Sequence, residues 1–355
     1  MCCQEGIRRA LRLTGAAIGL CLGGFGPPVA AQPTQQLRIV GGLAGVNQYI
    51  RHEEPFWRRT LPALSQGRVS AEIVPADRAG IRSQEMLRLV QLGSVSFGTA
   101  LLAAVAAQEP EVAAPDLAGL NPDLPALRRS IEAYRPRLET LLRERHGAEL
   151  LAVYVYPAQV TFCTQPMRSL ADLAGRRIRV SSATQSDWVS ALGATPVQTA
   201  FAETVASVRS GNIDCAITGT MSGHSIGLHQ VTSHLHTLPV TWGLAAFVAN
   251  GDAWRALDAD TRQLMRTELP KLERAIWEEA ERETGEGIAC NIGAPGCTSQ
   301  RNGRMVAVRE TAADHALSRE ILVGKVLPAW VQRCGPACVP VWNRTIGAAA
   351  GIPLK

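Results

Sequence analysis

The sequence predicts an α/β protein with two domains. Short apolar stretches alternate with helical patterns, which is typical of parallel sheets covered by helices. The alternation occurs in two successive blocks, and the longest helical pattern, residues 258–286, follows both of them. Its length predicts a strut that lies across more than one core, with a bend at Pro270.

The first 31 residues have the pattern of a secretory signal peptide. A basic start at residues 8–12 precedes an apolar run at 13–25 and small residues at 29–31. The apolar run is too short for a membrane span, which needs about 20 apolar residues. A lipoprotein anchor at Cys21 is the alternative, although the bulky Leu20 fits that processing poorly. We therefore expect the signal to be removed and assign no fold to it.

The charge of the chain argues against two classes of partner. The formal net charge is +5 over 355 residues, and the expected loss of the basic signal lowers it slightly. The basic residues are scattered, and no run of five or more occurs. Binding to nucleic acid or to an anionic membrane surface is therefore not expected.

The first block reads as strand, helix, strand, helix, strand and helix. Its predicted strands are residues 37–42, 69–75 and 94–99, and its predicted helices are 47–65, 82–92 and 123–146. The longest of these helices places leucines and Tyr134 at helical spacing.

The second block begins near residue 149 and repeats the alternation. Its predicted strands are residues 149–157, 176–182, 194–198 and 212–220, its predicted helices are 169–175, 184–192 and 201–211, and two extended runs fill 233–250. Two α/β domains joined by crossover strands bind ligands in the cleft between them, beside the carboxyl ends of the strands.

Six cysteines remain after the signal peptide. Export to an oxidising compartment favours disulfides, and the spacings Cys290-x6-Cys297 and Cys334-GPA-Cys338 favour two local bridges. Zinc is the alternative for these four, but neither pair has the C-x2-C form. Cys163 and Cys215 are expected to be buried thiols or a third bridge.

Residues 223–227, GHSIG, match the nucleophile elbow of serine hydrolases. Asp260 and His315 could complete a triad with Ser225. The elbow needs a strand directly before the serine, whereas residues 219–223 intervene. A secreted serine hydrolase is therefore kept only as an alternative.

Two further patterns lack the spacing of a functional site. The histidines at 224, 229, 234 and 236 have no carboxylate or thiol among them, so we expect polar, partly buried side chains and no metal site. Gly41-Gly42-x-x-Gly45 lacks the full dinucleotide-binding pattern and is expected to be a tight turn lining the cleft. No cofactor is expected.

The predicted strand GRRIRVSS contains Arg179, a candidate ligand-binding residue. Ile178 and Val180 share one face of the strand, and Arg177 and Arg179 share the other. At the end of a strand beside a cleft, a guanidinium offers a planar pair of donors that matches a carboxylate. The alternative is an ordinary solvated arginine or a structural ion pair.

The order of motifs in the second block resembles the substrate-binding proteins of tripartite ATP-independent periplasmic (TRAP) transporters, the DctP-like family. The resemblance rests on two runs, SLADLAGRRIRV and ALGATPVQTAFAETVASVRSGNIDCAITGT, within residues 169–220. It extends over roughly Leu37 to Gly351, and the tail with its cysteine pairs resembles one branch of the family, which supports the two disulfides.

The resemblance implies a Venus-flytrap fold with hinge strands and a long helix that spans both domains. We assign residues 32–155 with 246–284 to domain I, residues 156–245 with 285–333 to domain II, and residues 334–355 to a C-terminal tail. The implied function is an extracytoplasmic receptor in the periplasm that binds a small organic acid and delivers it to the small and large membrane subunits of the permease. Such a protein is not an enzyme, and a sensory receptor of the same fold is a further alternative.

The resemblance also implies which residues bind the ligand. In that family the arginine of the IRV strand binds the ligand carboxylate, and Arg179 stands at that position. A second ligand-side arginine, common in the family, would fall near Gln159, so a second acidic group on the ligand is doubtful. Thr218 stands where asparagine is frequent. Gln159 and Thr218 together favour a monocarboxylate with hydroxyl or keto groups.

Four more residues are expected at the cleft by the same resemblance. Phe201 opens a helix that would face the cleft, and Trp242 would form an apolar wall. From the first domain, Asn47 and Thr99 are expected on loops that face the cleft.

Overall fold

The computed structural model describes residues 35–355, which form two β-sheets with helices packed around them. The predicted signal peptide lies outside the described residues. The strands are β1 (Gln35–Gly41), β2 (Val69–Pro75), β3 (Phe97–Leu101), β4 (Ala148–Val155), β5 (Gln159–Cys163), β6 (Arg177–Val180), β7 (Thr195–Gln198), β8 (Cys215–Gly219), β9 (His234–Thr241), β10 (Leu244–Asn250) and β11 (Val306–Val308). The first sheet has the order β2-β1-β3-β10-β4, and the second has the order β11-β9-β5-β8-β6-β7.

The helices fall into three kinds. The α-helices are α1 (Leu61–Leu64), α2 (Met86–Gln91), α3 (Leu102–Val105), α4 (Leu124–His146), α5 (Ala183–Ala191), α6 (Thr204–Arg209), α7 (Thr220–Ser225), α8 (Gly251–Ala256), α9 (Ala259–Ile292), α10 (Ala312–Ile321), α11 (Leu327–Cys334), α12 (Cys338–Arg344) and α13 (Ile346–Ala350). Short 3-10 segments occupy Ser83–Glu85, Pro110–Asp116, Leu170–Leu173, Phe201–Glu203 and Leu228–Gln230, and wider π-helical turns occupy Gln48–Glu53, Phe56–Thr60 and Leu322–Val326. Within residues 35–355, no helix combines the length and apolar composition that crossing a membrane requires.

Both predicted parallel patterns are confirmed, with one antiparallel strand inserted in each. Strand β1 pairs in parallel with β2 and β3, and β6 pairs in parallel with β7 and β8. Strand β10 runs antiparallel to its neighbours in the first sheet, as β5 does in the second. Each of these two strands follows a short crossover from the other sheet, at residues 156–158 before β5 and 242–243 before β10. The family resemblance implies hinge strands between the two domains; the chain passes between the sheets here through short loops that lie outside the strands.

Helix α9 contacts both sheets, as the long helical pattern predicts. In its middle, the indole Nε1 of Trp277 donates to the Val153 carbonyl of β4 at 2.8 Å. Near its end, Gly287 packs so closely on the start of α7 that a Cβ there would clash with the backbone of Thr220 and Met221. Pro270 lies inside the helix without ending it.

The helix predicted over residues 47–65 has a different geometry. It consists of two π-helical turns followed by the short helix α1. Pro55, which has no backbone N–H, falls between the two turns and cannot donate to the residues before it. Trp57 is fully buried there and packs against Phe247 of β10, with ring centroids 5.2 Å apart.

The C-terminal segment packs on the first half of the chain. Trp330 of α11 donates from its indole Nε1 to the Pro110 carbonyl at 2.8 Å, and its ring lies 5.5 Å from that of Trp342. Helix α13 contacts α4. The residues that were assigned to a tail therefore contribute to the apolar core.

Residues 35–355 contain three disulfides. Cys290–Cys297 and Cys334–Cys338 are the two local bridges that the sequence predicts. The third joins Cys163 of β5 to Cys215 of β8, which are directly opposite each other in the antiparallel register. This bridge resolves the alternative that the sequence left open.

A buried carboxyl group ties the first helical turn to two strands. Glu53 is fully buried, and its carboxylate accepts hydrogen bonds from the Gly42 amide, Gln48 Nε2 and Thr99 Oγ1. Burial raises the pKa of Glu53 to about 7, and the three hydrogen bonds only partly oppose that shift. The ionised form is therefore stabilised less in the folded protein than in water.

The three disulfides should contribute unequally to stability. Cys163–Cys215 closes a sequence separation of 52 residues, whereas Cys334–Cys338 closes 4. In the chain-entropy model these loops are worth about 4 and about 2 kcal/mol. Urea unfolding should therefore show a larger loss for the double alanine variant of the first pair. An equal or larger loss at Cys334 and Cys338 would contradict this expectation.

Glu53 should make stability depend on pH in a defined direction. The folded protein keeps the Glu53 proton up to about pH 7, whereas an unfolded glutamate releases it near pH 4.3. Wild type should therefore lose about 1 kcal/mol per pH unit relative to Glu53→Gln between pH 5 and 7. Chemical denaturation of both proteins at pH 5 to 8 measures the difference. A difference that does not change with pH would show that Glu53 is ionised throughout.

Candidate functional site

A cavity of about 540 Å³ opens at the carboxyl ends of the parallel strands of both sheets. From the first sheet it is lined by Leu43, Val46, Asp77, Gly80–Gln84, Leu101, Ala103 and Ala104. From the second sheet it is lined by Gln159, Arg179, Ser181, Gln198–Glu203, Thr218, Gly219 and Ser222, from the crossovers by Tyr156 and Gly243, and from the start of β10 by Leu244. The volume is within the range of small-molecule sites, and the position is the one that α/β topology favours.

The two sides of the cavity differ in chemistry. The first sheet contributes mostly aliphatic side chains from the loops after its strands. Its charged residues there, Asp77 and Arg82, are exposed, and Arg82 pairs with Glu85. The second sheet contributes a buried guanidinium, two amides, several hydroxyl groups and the exposed carboxylate of Glu203. A ligand in this cavity would therefore meet its polar contacts mainly on the second sheet.

Arg179 lies on β6 with its side chain held by backbone carbonyls. Arg179 is only 4% exposed. Its Nε donates to the Thr199 carbonyl at 3.0 Å, and its NH1 donates to the Ile217 carbonyl at 2.8 Å. NH2 makes no hydrogen bond within residues 35–355 and is not fully buried. Nε and NH1 are thus each held by a backbone carbonyl, while NH2 and the second N–H of NH1 make no hydrogen bond within residues 35–355.

The charge of Arg179 has no acidic partner among the described residues. Burial alone lowers the pKa of its guanidinium to about 10. Arg177, on the same face of β6, is exposed and makes an ion pair with Asp214, with NH2 to Oδ1 at 2.6 Å. That guanidinium is the main cause of the lowered pKa of Asp214. The two arginines of one strand face therefore differ: Arg177 is exposed and paired with a carboxylate, whereas Arg179 is buried and has no acidic partner among the described residues.

Gln159 lies at the start of β5 and belongs to a buried hydrogen-bond network. Its Oε1 accepts from Gln185 Nε2 at 2.8 Å and from Thr241 Oγ1 at 3.2 Å. Gln185 Nε2 also donates to Thr241 Oγ1 at 2.8 Å. Gln185 is 1% exposed and was not identified from the sequence, because a single glutamine in the first turn of a helix carries no motif.

Thr218 and Phe201 also line the cavity, as expected for cleft residues. Thr218 is buried near the end of β8. Phe201 is half-buried and packs against the core of the first sheet, although it follows a strand of the second. A Cβ at Gly45 would have Phe201 and Ile226 as its nearest neighbours, at 3.8 and 3.7 Å. These contacts join the two sides of the cleft.

Trp242 lies away from the cavity lining. It is buried, and its indole Nε1 donates to the Asn121 carbonyl at 3.1 Å. Its backbone amide and that of Gly243 donate to the Asp116 carboxylate. Burial raises the pKa of Asp116 to about 7. Trp242 thus anchors a crossover and forms no wall of the cavity, whereas the adjacent Gly243 lines it.

The two residues expected from the first domain also lie away from the lining. Thr99 is buried within β3, where its hydroxyl donates to Glu53. Asn47 donates from Nδ2 to the Glu283 carboxylate of α9. The polar side chains in the first-sheet lining instead come from the loop after β2, which includes Asp77 and Arg82. In the sequence, the only feature that could have indicated a cavity-lining role for this loop was the presence of polar residues directly after a strand.

The serine of the GHSIG motif has no nucleophile-elbow geometry. Ser225 ends helix α7, and its hydroxyl donates to the Met221 carbonyl at 2.9 Å. Asp260 pairs with Arg68. The extra residues before the serine form the helix, so the sharp strand-to-helix turn of an elbow cannot form.

The histidines near this motif are buried or paired individually. His224 and His229 stack with ring centroids 4.3 Å apart, and burial lowers the pKa of His224 to about 4. His236 lies 3.6 Å from Asp314. Residues 35–355 contain no group of three or more His, Cys, Asp or Glu side chains arranged to hold a metal ion.

Comparison with known proteins gives one family match and one curated relative. The model of the family described as bacterial extracellular solute-binding protein, family 7 (DctP), matches residues 46–294. The ectoine-binding periplasmic protein TeaA of Halomonas elongata is 28% identical over 126 residues, which is 35% of this chain and 37% of that protein. The chain thus matches well under half the length of this relative.

Solved structures share the fold over nearly their whole length. The Bordetella pertussis receptor DctP7, described as binding pyroglutamic acid, has a TM-score of 0.78 at 20% identity, covering 90% of this chain and 100% of that one. A TRAP periplasmic solute-binding protein from Shewanella oneidensis with bound succinate has a TM-score of 0.76 at 16% identity, covering 90% and 100%. At these identities the likeness establishes the two-sheet fold.

Proposed function

Because the chain belongs to the DctP family of extracellular solute-binding proteins, family 7, we propose that it is the periplasmic receptor of a TRAP transporter. In this proposal it binds a small organic acid through Arg179 and delivers it to the small and large membrane subunits of the permease. It performs no chemistry on the ligand.

The observation that carries the proposal is the buried, unpaired guanidinium of Arg179. A buried charge is stabilised only when it is paired, and within residues 35–355 this one meets backbone carbonyls alone. A ligand carboxylate would supply the missing charge and could accept two N–H groups from the planar guanidinium. Arg179 is then the anchor of an anion.

Pairing of this charge also gives a reason for closure. An open cleft leaves Arg179 hydrated, so its charge needs no partner there. A closed cleft excludes water. The closed state is therefore favoured when a ligand carboxylate pairs with the guanidinium of Arg179. The contact of Phe201 with the core of the first sheet would then form only in the closed state.

The ligand class follows from the remaining lining. DctP7 is described as binding pyroglutamic acid, and the Shewanella oneidensis protein holds succinate, so small carboxylic acids are the class to test. In this chain, Gln159 and Thr218 offer uncharged polar groups on the side of Arg179. They favour a monocarboxylate that carries hydroxyl or keto oxygen.

Arg179→Ala should lower the affinity for an organic acid by at least about 100-fold, because two charge-assisted hydrogen bonds are lost. Isothermal titration calorimetry measures the loss. Arg177→Ala is the matched control, since it removes the exposed guanidinium of the same strand face. Unchanged affinity in Arg179→Ala, or an equal loss in Arg177→Ala, would contradict the assignment.

A thermal-shift screen of organic acids should identify the ligand. A ligand at 100 times its dissociation constant adds about 2.7 kcal/mol to the free energy of unfolding. We expect hydroxy, keto or lactam monocarboxylates to raise the unfolding midpoint by several degrees and succinate to raise it less. Failure of every acid to shift the midpoint would contradict a carboxylate receptor.

A further inference from the structure

We propose that Gln185 is a positioning residue that fixes the orientation of the Gln159 amide, so that the cavity presents a neutral N–H donor beside Arg179. The site then selects monocarboxylates whose second polar group is an uncharged oxygen acceptor. This inference rests on the proposed function and specifies its ligand class.

The chain of hydrogen bonds starts from a backbone N–H group, which can only act as a donor. The backbone amide of Ser181 is a donor, and it lies 2.8 Å from Gln185 Oε1. The Ser181 hydroxyl lies 3.2 Å from the same oxygen. An amide side chain is oriented by its partners, so this contact assigns the oxygen of Gln185 and leaves its NH2 group on the other side.

The orientation of Gln185 then determines that of Gln159. Gln185 Nε2 can only donate, and the atom of Gln159 that it meets at 2.8 Å must be an acceptor. That atom is Oε1. The Thr241 hydroxyl accepts from Gln185 Nε2, so its single hydrogen is free to donate to the same oxygen. Two donors therefore hold the Gln159 oxygen inside the network.

The NH2 group of Gln159 must then face the cavity. Its Nε2 makes no hydrogen bond within the described residues and is not fully buried. The nearest atom to a Cβ placed on Gly243, a cavity-lining residue with φ of 79°, would be this nitrogen, and the two would clash. Glycine at 243 thus leaves room for the donor.

The donor and the guanidinium lie near the same end of the second sheet. Arg179 NH1 bonds to the Ile217 carbonyl of β8, and Gln159 pairs with Gly219 of the same strand. Residues two apart on a strand are separated by about 7 Å. A ligand a few atoms long can therefore reach both groups at once.

A neutral donor selects by charge as well as by geometry. A keto, hydroxyl or lactam oxygen accepts an N–H without carrying a charge into the cavity. A second carboxylate at that point would be desolvated beside an amide with no counter-charge, which is strongly unfavourable. The amide therefore disfavours dicarboxylates at the position where a guanidinium would favour them.

The test uses acids that differ in one polar group. One pair is 2-oxo-3-methylbutanoate and 3-methylbutanoate, and a second is 3-oxocyclopentanecarboxylate and cyclopentanecarboxylate. Calorimetric affinities define a preference ratio within each pair, and succinate is the dicarboxylate. Wild type should prefer the oxygen-bearing acid by about 10-fold, the value of one hydrogen bond at a desolvated site, and should bind succinate more weakly.

Gln185→Glu should reverse the orientation of Gln159. An ionised carboxylate cannot donate, so the Gln159 NH2 would turn inward and its oxygen would face the ligand. The preference ratio should then fall to about 1 at neutral pH. Lowering the pH should restore it, because a protonated carboxyl donates as the amide does. Gln185→Leu should lower the ratio without any restoration.

A double-mutant cycle separates this role from a general effect on the fold or on charge. In the Gln159→Leu background, both Gln185 substitutions should leave the ratio unchanged. A purely structural role for Gln185 would lower affinity for both members of each pair equally and leave the ratio at its wild-type value. That result, or a wild-type preference for succinate, would overturn the inference.

The same measurements distinguish failure of the inference from failure of the proposed function. If organic acids bind and Arg179→Ala weakens their binding, but the Gln185 substitutions leave the preference ratio unchanged, the receptor assignment stands and the proposed role of Gln185 is wrong. If no acid binds to wild type, both are wrong. Ligand-free thermal unfolding of each variant shows whether it is folded.

Discussion

The burial of one guanidinium without a counter-charge among residues 35–355 is the constraint on which the proposed site depends. Arg179 meets two backbone carbonyls, and burial lowers its pKa to about 10. An acidic neighbour would stabilise this charge, but it would also compete with a ligand carboxylate. Arg177, on the same strand, is the contrasting case. Its guanidinium is already paired with the carboxylate of Asp214 and is not available to a ligand. In the proposed function, the lack of an acidic partner for Arg179 among residues 35–355 lets the cavity receive an anion, at some expense in stability of the empty closed protein.

The position of the cavity depends on two short crossovers and on the groups that hold them. Asp116 accepts the amides of Trp242 and Gly243 before β10, and the Ala158 amide before β5 donates to Thr284 of α9. Buried backbone N–H groups need partners, and these contacts supply them where the chain belongs to neither sheet. Because each crossover is only a few residues long, relative movement of the sheets would be confined to these points. Helix α9 packs on both sheets and braces them from one side.

The sequence predicted the parts of this structure that repeat and missed the parts that depend on single contacts. Alternating strands and helices, the long helix and the carboxyl-end position of the cleft all follow from periodicity. The parity of β6 correctly separated Arg179 from Ile178 and Val180. The family resemblance does not reveal which side chains make structural contacts, so Trp242, Thr99 and Asn47 were expected at the cleft and lie in such contacts instead. Gln185 was missed for the same reason, since its role exists only through Gln159 and Ser181.

The amide at Gln159 has a consequence for how selectivity responds to conditions. A selective group that ionises would change the preferred ligand as pH changes. Here the orientation of the donor traces back through Gln185 to the backbone amide of Ser181, and none of these groups titrates. The same segment carries Arg179 two residues earlier, so anchor and orientation are set by one strand end. In the proposed site, charge recognition by Arg179 and acceptor recognition by Gln159 would therefore be coupled through the backbone at the end of β6, and a shift of that strand end would disturb both together.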